Sequence, residues 1–332
     1  MNAIAEAPAK TRDVSLDVAK GLGIILVVVG HAWRGLDSAG MIGDPWLFQL
    51  VDRLIYNFHM PLFFLLSGMT FEAWALKRPY PEAAFSRVTR LLWPLVLWTY
   101  LFSAARLAAG DAANTQLQGW QSLLFFPLPP RDHFWFLWAL FLQHLVVLAL
   151  IRAVGRPLGT AVWTGLAVLV VLASSFTPVG LNAWTVGAAT YAGAFLAGLA
   201  LGPSGIPARG IAVAAIGAVV FLAVQKFSFW IPDSRLAMQL IGIILALAFL
   251  AVVQSLAQGT GQAVRLFASL GVSSMGIYLA HTIFSAGTRA VLARFTQDLS
   301  LHMILGTLAG IIGPLIVYTV IRRVGRPSWI GF

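Results

Sequence analysis

No cysteine occurs in the chain, which excludes disulfides, thiolate catalysis and cysteine-ligated metals. Charge is scarce as well: 10% of the residues are Asp, Glu, Lys or Arg, against about 25% in soluble domains. Acidic residues are the scarcer sign, 12 against 22 Lys and Arg, for a net charge of +10. The basic residues lie between apolar runs rather than in one patch. The excess therefore reads as positive-inside bias, and no nucleic acid is expected as a partner. Fixed-period repeats, low-complexity linkers and a separable soluble domain are all missing.

What fills the chain instead is apolar sequence. Its 332 residues are 59% hydrophobic, with a mean hydropathy of +0.84. Several separate runs of about 20 apolar residues make it an all-α, polytopic membrane protein, with membrane lipids as its surroundings. Residues 1–12 read as a cytoplasmic tail carrying Lys10 and Arg12. They are not a cleavable signal, because the apolar run that follows is too long and no small-residue cleavage site closes it. Residues 13–326 read as a single membrane domain and 327–332 as a second cytoplasmic tail.

The hydropathy pattern predicts about ten transmembrane helices: Val14–Leu36, Asp52–Leu76, Val88–Ala108, Phe134–Arg152, Thr160–Phe176, Trp184–Leu201, Gly210–Phe229, Leu236–Leu256, Leu266–Gly287 and Leu301–Ile321. The second contains the interruption Pro61, and KRPYPEAAFSRVTR reads as a basic loop leading into the third. With the amino terminus inside, fourteen Lys and Arg fall at inner ends and eight, Arg34 and Arg131 among them, at outer ends. That asymmetry places both termini in the cytoplasm.

The first span carries Asp17, Lys20 and His31, although an ionisable group at a span centre costs about 2.5–3.5 kcal/mol on insertion scales. Eleven residues separate Lys20 from His31. At about 100° per residue they return to within about 20° of one face, and at about 1.5 Å per residue they stand some 16 Å apart. Asp17 lies near the same stripe, one turn from Lys20, where an ion pair can form. Such a stripe suits a long anionic molecule gripped at one end with proton chemistry at the other. The plainer alternatives are a Lys20 that snorkels to the headgroups and a His31 that bonds a neighbouring carbonyl.

Depth adds two more imidazoles. His59 in the second span and His281 in the ninth fall in the outer half of the membrane, like His31. Asp52 precedes His59 by seven residues on one face and could orient or charge-stabilise an imidazole. Tyr278, one turn before His281, is a further hydrogen-bonding candidate. Arg87 and Arg90 stand one turn apart at the inner mouth of the third helix and would complement Lys20 as anion binders, though positive-inside charge explains them equally. Ser67 reads as a packing residue, and His133 and His144 as local hydrogen-bond partners. Trp135 and Trp138 suit either an interfacial belt or the lining of an acceptor groove.

Five segments then acquire a common meaning. LDVAKGLGIILVVVGH, FHMPLFFLLSG, RVTRLLWPLVLWTY, FWFLWALF and SSMGIYLAH resemble, in order, the signatures of the acyltransferase-3 family of membrane acyltransferases, including its fucose-4-O-acetylase-like branch. The resemblance runs from about Arg12 to Arg326. Where the family often has Arg eleven positions before the histidine, this chain has Lys20. The resemblance implies a multi-pass enzyme of a bacterial inner membrane that moves an acyl group, usually acetyl, from cytoplasmic acyl-CoA to a glycan or lipid-linked sugar hydroxyl. It implies His31 as the catalytic histidine and Lys20, Arg87 and Arg90 as groups for the CoA phosphates. Asp52 or His59 would then orient His31 or hold charge, and a donor near Tyr278 and His281 would face the thioester oxyanion.

Two rivals remain. A proton-coupled small-molecule transporter also uses intramembrane His and Asp, but Pro61, Pro94 and Pro314 do not fall into matching halves. A zinc site of His31, His59 and His281 would fit three imidazoles at one depth. No spacing sets their mutual distance, so no metal is expected. A homo-oligomer is left open.

Overall fold

The computed structural model describes residues 13–114, 117, 119–125, 127–130, 132–176, 184–232 and 234–332. The expected tail of residues 1–12 and the outer charge Arg131 lie outside them. Among the described residues there are helices and turns and no strand.

The first helix, α1 (Val14–Ser38), starts where Asp13 in extended conformation caps the Ser15 N–H. The next crossing is broken. Pro61 has no N–H to offer the Asn57 carbonyl, and the helix divides at Phe58 into α2 (Pro45–Tyr56) and α3 (His59–Ala75). This crossing also begins seven residues earlier than the expected Asp52. Pro45 and its Asp44 cap form the first turn there, which hydropathy alone does not show.

The expected basic loop is helical. Tyr80–Arg87 forms α4 and passes through a π-helical turn, Val88–Leu92, into α5 (Trp93–Ala109). The Trp93 N–H bonds the Val88 carbonyl, and the turn widens just before Pro94, which has no N–H to continue the ladder. Then follow α6 (Trp135–Val154), α7 (Thr160–Phe176), α8 (Val186–Leu201), α9 (Ile211–Ser228) and α10 (Arg235–Leu256). The expected ninth span is two helices, α11 (Gln262–Val272) and α12 (Ser274–Leu292), bent by 78° at Ser273. The last is α13 (Leu299–Val324).

Among the described residues seven helical segments are long and apolar enough to cross a membrane, or eight with the bent pair counted as one span; α7 and α8 are apolar but shorter. Val168 and Leu169 on α7, Ile216 and Leu222 on α9, and Ile304 and Ile316 on α13 stand exposed on outward faces. An apolar surface of this extent is what a bilayer covers.

The end of the bundle holding Lys20, Arg152 and Arg209 is called inner below, after the charge rule. There Arg209 pairs with Asp13 at 2.6 Å, and Arg152 donates to the Ala75 carbonyl at 2.8 Å. The segment expected as a C-terminal tail folds back on α5. Trp93 and Trp98 donate their indole N–H groups to the carbonyls of Trp329 and Ile330 at 2.8 and 2.7 Å, and the Phe332 ring stacks on Trp98.

The helix α1 is central and packs against α2, α3, α10, α11, α12 and α13. Its closest approach is to α11: a Cβ on Gly21 would lie 1.9 Å from the Phe267 carbonyl oxygen, and one on Gly271 would lie 1.8 Å from that of Asp17. A reciprocal glycine pair also seats α3 on α8, at Gly68 and Gly198. Small residues let membrane helices touch backbone to backbone.

Candidate active site

One stripe of α1 lines two cavities. Asp17, Lys20, Ile24 and Val27 face an inner cavity of about 330 Å³. His31, Arg34, Gly35 and Ser38 face an outer cavity of about 560 Å³. The steps of three and four residues between them are those of one helix face. Lys20 Nζ lies 3.5 Å from Asp17 Oδ1 near the inner end of this stripe. Apolar walls from Met60, Phe63 and Phe136 continue from there to Tyr278.

Beside the outer cavity stand three imidazoles. The ring centroids of His31 and His281 are 5.1 Å apart, those of His31 and His133 5.5 Å, and those of His133 and His281 5.1 Å. His281 is fully buried, while His31 keeps an accessible edge in the outer cavity. His281 Nδ1 faces the Tyr278 carbonyl at 2.7 Å and that of Ile277 at 3.2 Å. Both partners can only accept, so Nδ1 carries the proton and Nε2 the lone pair. Among the described residues that Nε2 has no hydrogen-bond partner, and neither does His133 Nε2.

His133 is the member that sequence reasoning missed. The sequence suggests a local hydrogen-bond partner, yet its ring meets both His31 and His281. A depth argument could have found it, since the Asp132–Phe134 turn opens α6 at the outer end. His144 also bonds across helices rather than locally: its Nε2 lies 3.0 Å from Ser67 Oγ, which faces the inner cavity.

The other expected residues are distributed as follows. His59 is buried, with Nδ1 2.8 Å from the Ile55 carbonyl, and its ring meets Tyr56 rather than His31. Tyr56 stands between them, 6.3 Å from His31 by centroids. Asp52 pairs not with an imidazole but with Arg34, at 2.6 and 2.9 Å. Tyr278 donates its hydroxyl to the His133 carbonyl, which commits that hydroxyl to the frame of the cluster. Arg87 lies over the Trp74 ring with Cζ 3.7 Å from its centroid, and Arg90 is exposed on the π-helical turn. Neither is among the residues facing the inner cavity with Lys20. Trp135 faces the outer cavity, and Trp138 donates its indole N–H to the Trp184 carbonyl at 2.7 Å. Among the described residues no three His, Asp or Glu side chains are placed to hold a metal ion, and the ring of His59 is turned away from the cluster that the zinc reading needs.

The site is thus a cluster of three imidazoles, of which His31 and His133 line the outer cavity, while Tyr278 lines the inner one. Its imidazoles can take up and return a proton for a group bound in the outer cavity.

Comparisons with known proteins bear on that chemistry. A family model described as an acyltransferase domain, that of the acyltransferase-3 family, matches residues 13–321. The chain is similar to nodulation protein NolL of Sinorhizobium fredii, 34% identical over 145 residues, or 42% of this chain and 37% of that protein. It is also similar to nodulation protein NolL of Mesorhizobium japonicum, 29% identical over 141 residues, or 42% of this chain and 36% of that protein. The matched part is thus little more than a third of each relative's length. No solved structure matches the chain.

Proposed function

Since the chain belongs to the acyltransferase-3 family and carries its acyltransferase domain, we propose that it transfers an acyl group, acetyl in the first instance, from cytoplasmic acyl-CoA to a hydroxyl of a cell-surface or lipid-linked glycan at a bacterial inner membrane. The observation that carries this reading is the single stripe of α1, with Lys20 facing one cavity and His31 facing the other, about 16 Å apart along the helix axis. Acyl-CoA has that shape: phosphates at one end and a thioester at the end of a long thin arm. Lys20 suits a phosphate at the inner mouth. Arg87 and Arg90 would add to the positive field that draws CoA to that end rather than line the cavity itself.

In this reading His31 is the general base. It takes the proton of the acceptor hydroxyl as the oxygen attacks the thioester carbonyl. The C–S bond then breaks, and the proton passes to the departing thiolate. His281, with its ring centroid 5.1 Å from that of His31, packs against the base and positions it. Thr282, one residue on, lines the outer cavity, and its buried hydroxyl has no partner among the described residues. It is better placed than the committed hydroxyl of Tyr278 to donate to the oxyanion. Asp52 acts at one remove by holding Arg34 a turn beyond His31, and His59 supports the packing of Tyr56.

The test in cells is the base-labile acetyl content of surface and lipid-linked glycans, compared between cells making the wild type and cells making His31→Ala. Acetyl esters present with the wild type and lost with the variant are expected. Equal content in both, with the protein expressed, contradicts the reading.

A further inference from the structure

Three arginines line the outer cavity, and two of them meet a carboxylate. Arg34 holds Asp52 through two nitrogens, and Arg106 holds Asp132 at 2.9 Å. Arg289 does neither. Its Nη2 donates to the amide oxygen of Asn114 at 2.7 Å, and among the described residues no carboxylate forms an ion pair with it. Among the described residues the lining carries Arg34, Arg106 and Arg289 against Asp132. Adding Asp52 from behind Arg34 still leaves one positive charge in excess.

The seat of Arg289 is specific. Its Nη1 lies where a Cβ on Gly35 would approach to 2.6 Å, so the guanidinium rests against the bare backbone of α1. Gly35 is four residues beyond His31, about one turn or 6 Å outward. Asn114, which holds the guanidinium, also donates to the Gly35 carbonyl at 2.9 Å. The fork is thereby fixed in direction while its charge stays unanswered. A partly buried guanidinium is stabilised when an anion answers it.

We infer that the outer cavity selects an anionic acceptor: a hydroxylated molecule whose carboxylate or phosphate ester pairs with Arg289, about one helical turn from the hydroxyl that His31 serves. The hydroxyl half of this statement rests on the acyltransferase reading above. The anion half rests on Arg289, Asn114 and Gly35 alone. A volume of about 560 Å³ lies within the usual range for small-molecule sites.

The test uses the full chain in detergent without acyl-CoA, at constant ionic strength and in a Lys20→Ala background that removes the inner cation. Tryptophan fluorescence and the thermal midpoint are followed against inorganic phosphate, galacturonic acid and galactose. Phosphate and galacturonic acid are expected to bind, galactose far less well. Arg289→Gln is expected to weaken both anions by about tenfold or more, and Arg289→Lys by less. Asn114→Asp keeps the arginine but answers its charge internally, so it should cause the same loss even if Arg289→Gln folds poorly. Unchanged phosphate affinity in Arg289→Gln and Asn114→Asp, or galactose binding as tightly as galacturonic acid, overturns the inference. Nanodiscs separate two sources of phosphate. Competition by phosphatidylglycerol that depends on Arg289 assigns the anion to a lipid-borne acceptor, and its absence assigns it to a soluble or glycan one. Anion binding that depends on Arg289, together with no acetyl-CoA turnover by the protein that keeps Lys20, would overturn the acyltransferase reading and leave the anion site standing.

Discussion

Tyr278 and His281 lie one turn apart on α12 and show how a residue's partners decide its role. His281 is held by backbone carbonyls on Nδ1 and left free on Nε2. Tyr278 has its hydroxyl already engaged at the His133 carbonyl. Tyr278→Phe should therefore leave a buried carbonyl unpaired, at about 1–3 kcal/mol. It should lower the thermal midpoint and leave turnover within a few-fold. A 10²–10³-fold fall in turnover at an unchanged midpoint would instead identify Tyr278 as an oxyanion donor. At this scale the shared stripe of Lys20 and His31 and the depth of His281 were legible, because periodicity and depth can each be read within one helix. The partner of Asp52 was not, since its pairing with Arg34 depends on how α2 turns toward α1. His133 was missed for a related reason: it sits in a 3₁₀ turn at the head of α6, where helical periodicity has nothing to say.

The helices explain why the stripe on α1 can serve two cavities. Gly21 and Gly271 let α11 lie directly on the inner half of α1, and the bend at Ser273 then sends α12 outward along it. Gly21→Ala or Gly271→Ala would place a methyl carbon within 2 Å of a backbone oxygen, with no flexible side chain to yield. Either variant should lower the thermal midpoint of the purified protein more than Gly287→Ala, where the added carbon meets nothing within 4 Å. Equal midpoints would contradict the packing. The cap of α1 is tested by pH. Burial pushes the Asp13 carboxyl up, but hydrogen bonds from Ser15 and Arg209 outweigh it and hold the carboxyl below its ordinary value. The stabilisation is present above the unfolded carboxylate range, near about 3.9, and is lost as pH falls through the lowered folded value. The thermal midpoint of Asp13→Asn should match the wild type at the acid end and fall below it near neutrality, by no more than about 1 kcal/mol of stability. Hydropathy located most crossings, but not the breaks at Phe58 and Ser273 or the helix over Tyr80–Arg87. Those depend on proline geometry and on neighbours that hydropathy does not see.

At the scale of the molecule, successive crossings reverse direction, so that α3, α6 and α13 end near the face where α1 begins. The charge count then predicts which face is cytoplasmic. Because the chain has no cysteine, a single introduced thiol reports its side cleanly. In intact cells Lys77→Cys should resist a membrane-impermeant maleimide and Gln297→Cys should react; the reverse pattern would invert the protein. This alternation was legible from hydropathy and charge together. The gathering of three imidazoles beside the outer cavity was not, since it requires α6 and α12 to converge on α1. The central claim is that α1 divides donor binding at Lys20 from proton transfer at His31. Acetyl-CoA binding and thioester turnover by the purified protein, compared for wild type, Lys20→Ala and His31→Ala, test it most directly. The wild type should bind and turn over acetyl-CoA. Lys20→Ala should bind it about tenfold more weakly or worse, and His31→Ala should bind normally while turnover falls by about 10²–10⁴-fold. A wild type that ignores acetyl-CoA, or a His31→Ala variant that turns it over unimpaired, would contradict that division and bring proton-coupled transport forward.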